Sequence, residues 1–359
     1  YGGAVKLAVN LGYWDATSAG SVDDLLKLAV EAERLGYASA WAAEAYGSDA
    51  VTVLSWVAGQ TSRIELGSGV LQIPARTPAM TAMTAATLDM LSGGRFLLGL
   101  GVSGPRVSEG WHGVRFGKPL ARTREYVEIV NLALSRRRVR YQGEHYVLPL
   151  PDGPGKALHL MVHPVREHVP VYLAAIGPRN LELTGEIADG WLGVLVATDH
   201  AGEQLAHIAA GRERTGRDMS GFDVCAYVPL SVGEDVTACA EPVRPYTALY
   251  VGGMGSREQN FYNNLAVRMG YGEQAAAVQD RYLARDYDGA AAAVPAELVD
   301  QTSLLGPVAR VAERIAAFAA AGVTTLAVTP YGDTLEDRLR TLHAGAEALE
   351  RSGVAAGTA

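Results

Sequence analysis

Three glycine-bearing segments carry the residue types that could seat a flat, phosphorylated ligand. Gly67-Ser68-Gly69-Val70 puts two glycines inside an apolar strand. That pattern marks either a bulge where something approaches the backbone closely or a plain packing pair. Gly99-Leu100-Gly101-Val102-Ser103-Gly104 has the G-x-G-x-x-G spacing of a dinucleotide loop. However, Pro105-Arg106 and an irregular stretch follow it where a helix should open, and it ends the fourth strand rather than the first. It reads better as a strand tip whose small residues admit a flat group. Ile176-Gly177-Pro178-Arg179-Asn180 ends another strand and opens a helix. Free backbone N–H groups at such a start favour an anion, a phosphate above all, and Arg179 adds charge; an ordinary proline-initiated helix is the alternative.

Proton chemistry has fewer candidates. Glu44, in Glu44-Ala45-Tyr46 at the end of the second strand, could accept a hydrogen bond from a ligand. It could equally cap a helix or form an interstrand ion pair. Tyr46 beside it, and Glu109 and His112 after the fourth strand, are of types that give or take protons, and Trp111 could form an aromatic wall. His159, His163 and His168 lack the spacing of two ligands on one helix face, and Pro164 interrupts them, so no metal is expected. There is no G-x-S-x-G elbow and no P-loop.

The chain has 359 residues, 48% of them apolar, with a formal charge of -8. The charge argues against a nucleic-acid surface, which needs clustered Lys and Arg. The densest basic run, Arg136-Arg137-Arg138 with Arg140, closes a helical pattern and reads as charge compensating the helix dipole. Cys225 and Cys239 make no disulfide framework, which fits a reducing cytoplasm. No apolar stretch of about 20 residues suggests a membrane span.

The elements that must position these residues alternate along the chain. Strands are expected at Val5–Leu11, Ala38–Ala43, Ile64–Ile73, Phe96–Leu100, Val169–Ala174, Trp191–Val196, Asp223–Ser231 and Thr324–Val328. Helices are expected from Ser21, a plausible N-cap, to Leu35, then at Ala50–Thr61, Pro78–Leu91, Ala121–Arg136, Pro178–Ala188, His200–Ala210 and Pro307–Ala321. Met80, Met83 and Met90 read as helix packing. Repeating βα units imply a parallel sheet. Eight of them over this length predict a closed (β/α)8 TIM barrel, with its site at the C-terminal strand ends; an open doubly wound sheet is the alternative. Residues 1–359 read as one domain carrying two departures from a minimal barrel. The first is an excursion after strand four, 139–168; the second is a helical insertion between strands seven and eight, 241–303.

The strand ends resemble the luciferase-like family of flavin and deazaflavin barrels. The resemblance rests on Trp41-Ala42-Ala43-Glu44-Ala45-Tyr46-Gly47-Ser48-Asp49, on Leu88 through Phe96 with Gly99 through Pro105, and on Gly177-Pro178 with Glu186 through Trp191. Val251 through Gly255 and Arg268 through Tyr271 are similar to its actinobacterial, coenzyme F420-dependent branch. The resemblance implies Glu44 near a deazaflavin ring and Gly69-Val70 as the bulge backing it, with a non-prolyl cis peptide. It further implies Gln72, Val102 and Ser103 along the ring or ribityl chain, and Ile176, Gly177, Arg179 and Asn180 around the phosphate. The glucose-6-phosphate dehydrogenases of the family have a catalytic His where Ala45 stands and a catalytic Glu near Gly104, so sugar-phosphate oxidation is not expected here.

The expected activity is therefore F420-dependent hydride transfer to or from a small organic substrate, as reduction of a C=C or C=N bond in specialised metabolism. Tyr46, Glu44, Glu109 or His112 would supply the proton. An FMN-dependent monooxygenase and a catalytically silent ligand-binding barrel are the alternatives. The resemblance also implies a homodimer.

Overall fold

The computed structural model describes residues 3–12 and 22–355. Eight parallel strands form a ring: β1 Lys6–Gly12, β2 Ser39–Ala42, β3 Glu65–Ser68, β4 Phe96–Gly101, β5 Val171–Ala174, β6 Gly190–Val194, β7 Asp223–Val232 and β8 Thr325–Pro330. Each pairs with its sequence neighbours, and β8 pairs with both β7 and β1, which closes the barrel. The expected (β/α)8 barrel is the observed fold, and the open sheet is excluded.

The physical cause is visible in burial. All six residues of β4 are buried, as a strand covered on both faces requires. Outward-facing residues such as Leu66, Leu98 and Val171 pack under the helices in the main core. Inward-facing ones fill the barrel: Ala8, Trp41, Leu97, Tyr172, Leu192, Cys225, Tyr227 and Ala327 form a separate cluster. Trp41 and Tyr172 meet edge to face at 5.2 Å between ring centroids.

The outer helices are α1 Val22–Arg34, α2 Ala50–Ala58, α3 Pro78–Leu91, α4 Pro119–Leu134, α5 Pro178–Ile187, α6 Ala201–Arg214, α7 Val308–Ala320 and α8 Leu335–Ser352. The expected cap Ser21 lies outside the described residues. The third strand is shorter than its apolar run suggested. It stops at Ser68, turns through a cis Gly69–Val70 peptide, and resumes as Leu71–Gln72 beside β4. Helix α8 was not foreseen; Thr334 and Asp337 close a reciprocal capping box at its start and Gly353 ends it at φ 72°. Tyr37 Oη donates to Leu342 O of α8 at 2.9 Å, and Val5 N donates to Val354 O at 2.7 Å, so the last segment is tied to the first strand.

The loop after β4 contains a short helix, Pro105–Gly110. The 139–168 excursion contains a small antiparallel hairpin, Tyr141–Gln142 with Val147–Leu148. Its turn is held by Glu125 of α4, which accepts from the N–H groups of Glu144, His145 and Tyr146. The insertion before α7 is helical, as expected, with its own core around Val243, Val251, Leu265, Val278 and Leu298. Met80, Met83 and Met90 do not pack inward: they are 50%, 51% and 42% exposed along one side of α3. Among the described residues, no helix is long and apolar enough to cross a membrane.

Candidate active site at the C-terminal rim of the barrel

The tips of β3 and β4 pack closely against each other because glycines stand at 99 and 101. A Cβ on Gly99 would lie 1.8 Å from Ser68 O, and one on Gly101 would lie 2.5 Å from Val70 Cγ2. Ser68 Oγ both donates to Gly99 O and accepts from Gly99 N, each at 2.9 Å. Gly67 makes room for the Trp41 ring, 2.1 Å from where its Cβ would stand. For Gly67, then, the plain packing alternative explains the glycine, and Gly99, read from the sequence as a tip admitting a flat group, is closed off by Ser68. Gly69 is different. A Cβ there would meet the Tyr227 hydroxyl at 2.0 Å, and that hydroxyl is buried with no hydrogen-bond partner.

Gln72 joins this ledge to its neighbours. Its Nε2 donates to Ala45 O at 2.9 Å, and its Oε1 accepts from Ser103 Oγ at 2.6 Å. Ser103 holds a left-handed backbone, φ 62°, at the end of β4. Val102 next to it lines a recess with Ile73, Phe116 and Thr123, about 250 Å³ in open volume. Gln72 and Ser103 thus meet directly, with Val102 next in the chain, and the Gln72 side chain is occupied by partners within the chain.

Glu44 is bound on every side. Its carboxylate pairs with Arg76 through Nη1 and, at 3.1 Å, through Nη2. It also accepts from Ala50 N at the start of α2 and from Gln72 N, both at 3.3 Å. These are the ion-pair and capping contacts weighed against a ligand role for it. Burial opposes the Arg76 charge, but the Glu44 hydrogen bond and the charges of Glu44 and Asp49 outweigh it and raise the guanidinium pKa.

The other acid–base candidates lie on two loops, Tyr46 after β2 and Glu109 with His112 after β4. Tyr46 is 68% exposed. Glu109 braces its own loop by accepting from Phe116 N at 3.0 Å. His112 is half-buried, and its Nε2 is buried with no partner. Of the three histidines set aside as metal ligands, His168 pairs instead with Asp189 at 2.7 Å.

At β5, Gly177 forms the N-cap of α5 without any side-chain cap, and Pro178 occupies the first helical position. Nothing stands within 4 Å of where a Gly177 Cβ would be. Asn180 N turns back to Gly177 O at 2.9 Å. The Arg179 side chain is exposed and has no partner among the described residues. Ile176 opens onto a cleft of about 310 Å³ shared with Leu181, His200, Gln204 and Arg268. An uncapped helix start beside a free guanidinium suits an anion.

The residues therefore fit a flat ring with a phosphate arm: a glycine-bearing ledge, an orphaned buried hydroxyl beside it, and an open helix start on the same rim. The expectations from the chain alone did not include Tyr227, Arg76 or the tyrosines of the insertion. Tyr250 lies between Tyr246 and Tyr262, with ring centroids 4.8 and 4.7 Å away. The density of tyrosines from 227 to 271 was the available signal.

The closed ring of eight parallel strands wrapped by helices defines the class, a (β/α)8 barrel. This chain belongs to the luciferase-like monooxygenase family, whose sequence profile matches residues 6–325. It is 43% identical over 332 residues, 90% of its length and 95% of the relative's, to a Mycobacterium tuberculosis protein provisionally named a coenzyme F420-dependent oxidoreductase. It is 31% identical over 314 residues, 84% of its length and 88% of the relative's, to the 5,10-methylenetetrahydromethanopterin reductase of Archaeoglobus fulgidus. The coenzyme F420-dependent tetrahydromethanopterin reductase of Methanopyrus kandleri superposes with a TM-score of 0.81 at 25% identity, covering 94% of this chain and 97% of that one.

Proposed function

We propose that this protein is a coenzyme F420-dependent oxidoreductase that reduces a C=C or C=N bond of a small organic substrate. The observation that carries the reading is the pairing, on one barrel rim, of the Gly69–Val70 ledge with the uncapped helix start at Gly177. Relatives named as F420-dependent and as reductases support the cofactor and the direction. When bound, the deazaflavin supplies the hydride. Gly69, Val70, Val102 and Ser103 would back and flank it, and Ile176, Gly177, Arg179 and Asn180 would hold its phosphate. Gln72 and Glu44 act by fixing the ledge through Ser103 and Arg76.

His112 is the proposed proton donor, because its buried Nε2 has an unused hydrogen-bonding site. Replacing it with Asn should lower kcat while leaving cofactor affinity unchanged. The cofactor reading is tested by titrating the purified protein with deazaflavin and, separately, FMN, following fluorescence quenching. Saturable quenching by the deazaflavin at lower concentration than FMN is expected; preference for FMN would return the monooxygenase alternative. The open Gly177 loop weighs against a silent barrel. A cytoplasmic homodimer is proposed as well. The unpaired cysteines support the compartment, and the exposed Met80, Met83 and Met90 side of α3 supports self-association with a second copy.

A further inference from the structure

We infer that the Tyr227 hydroxyl donates a hydrogen bond to an acceptor atom on the rim of the planar ring seated over Gly69–Val70. The inference rests on the cofactor reading above and adds to it a binding residue from the opposite side of the barrel.

Tyr227 projects from β7 into the barrel interior, where it is 7% exposed. Its ring is fixed edge-on to Trp41, 6.4 Å between centroids, which leaves the hydroxyl aimed at Gly69. The other polar groups around the ledge are matched within the chain. Trp41 Nε1 donates to Ser39 Oγ at 2.9 Å, Ser68 Oγ is exchanged with Gly99, and the Gln72 amide is divided between Ala45 and Ser103. Tyr227 Oη alone among these has no partner. A buried hydroxyl without a partner is a cost unless a ligand relieves it. Gly69 is the one residue type that leaves Oη its place, since any side chain there would collide with it. Burial pushes the phenol well above its ordinary pKa, with Cys225 and Tyr250 adding to the effect, so it remains a neutral donor across the working pH range. The chemistry that would meet it is a carbonyl oxygen or ring nitrogen, which the dione edge of a deazaflavin provides.

The test is Tyr227→Phe, which keeps the ring and removes only the hydroxyl. Deazaflavin affinity, followed by fluorescence quenching, should fall about tenfold. The absorption band of the bound ring should shift relative to wild type, which a filler role would not cause. The melting temperature without cofactor should stay level or rise, because an unmatched hydroxyl has gone. Placing 3-fluorotyrosine at 227, a stronger donor of the same shape, should tighten binding. Equal affinities and superimposable bound spectra for wild type and Tyr227→Phe would overturn the inference while leaving the cofactor reading intact. A wild-type protein that binds neither deazaflavin nor FMN would overturn both.

Discussion

Glu44 and Arg76 form a two-pronged, largely buried ion pair that ties the end of β2 to the segment leaving β3. Removing the Glu44 charge leaves the Arg76 guanidinium with Asp49 alone, 2.7 Å from its Nη2. Glu44→Gln is expected to lower unfolding free energy by about 2 kcal/mol, less than for a buried charge left with no partner. Urea denaturation with unchanged m-value would establish it.

Two glycines of the rim should respond unequally to the same substitution. Gly69→Ala brings a methyl against the Tyr227 hydroxyl and should cost roughly 1–3 kcal/mol of stability. Gly177→Ala meets open space at φ -78°, a backbone any residue adopts, and should leave the melting temperature within a degree or two of wild type. Thermal melts of both variants make the comparison.

Arg179→Ala removes an exposed charge from the helix start at Gly177. Deazaflavin affinity should weaken by roughly 3- to 10-fold, and the dependence of affinity on salt should become shallower. Titrations at two ionic strengths test both parts.

The His168–Asp189 pair gives a pH dependence. The Asp189 hydrogen bond raises the His168 pKa against the opposing effect of burial. A raised folded pKa means that the stabilisation is complete below the unfolded value and disappears as pH climbs through the folded one. Because the His168 side chain is 59% exposed, the effect should stay under about 1 kcal/mol. Melts of wild type and His168→Gln between pH 5.5 and pH 9, bracketing an ordinary His value of about 6.5, should show the wild-type advantage shrinking with rising pH.

If α3 faces a second copy, Met80→Lys with Met83→Lys should convert a dimer to a monomer in light scattering without altering the circular dichroism spectrum. An unchanged mass would reject α3 as the contact.

Much of the scaffold was readable beforehand because βα alternation is a local pattern. The strand tips carrying Gly69, Gly101 and Gly177 followed from it directly. What escaped was relational. Helical spacing put Met80, Met83 and Met90 on one face, but spacing does not say which face is covered. In a strand buried on both sides, alternation cannot separate inside from outside, so Tyr227 passed as ordinary core. The Glu44 alternatives stayed open because its partner lies beyond an irregular turn at Arg76. Helix α8 differs: Thr334 and Asp337 form its cap and Leu335, Leu339, Leu342 and Leu349 its apolar stripe, all local features of the sequence.

The bond between Val5 and Val354 also bears on how the molecule comes into being. A hoop whose seam joins β1 to β8, and whose rim ties residue 5 to residue 354, cannot be finished during synthesis until that later residue has left the ribosome. Folding should accordingly be slow and late, as non-local pairing generally is.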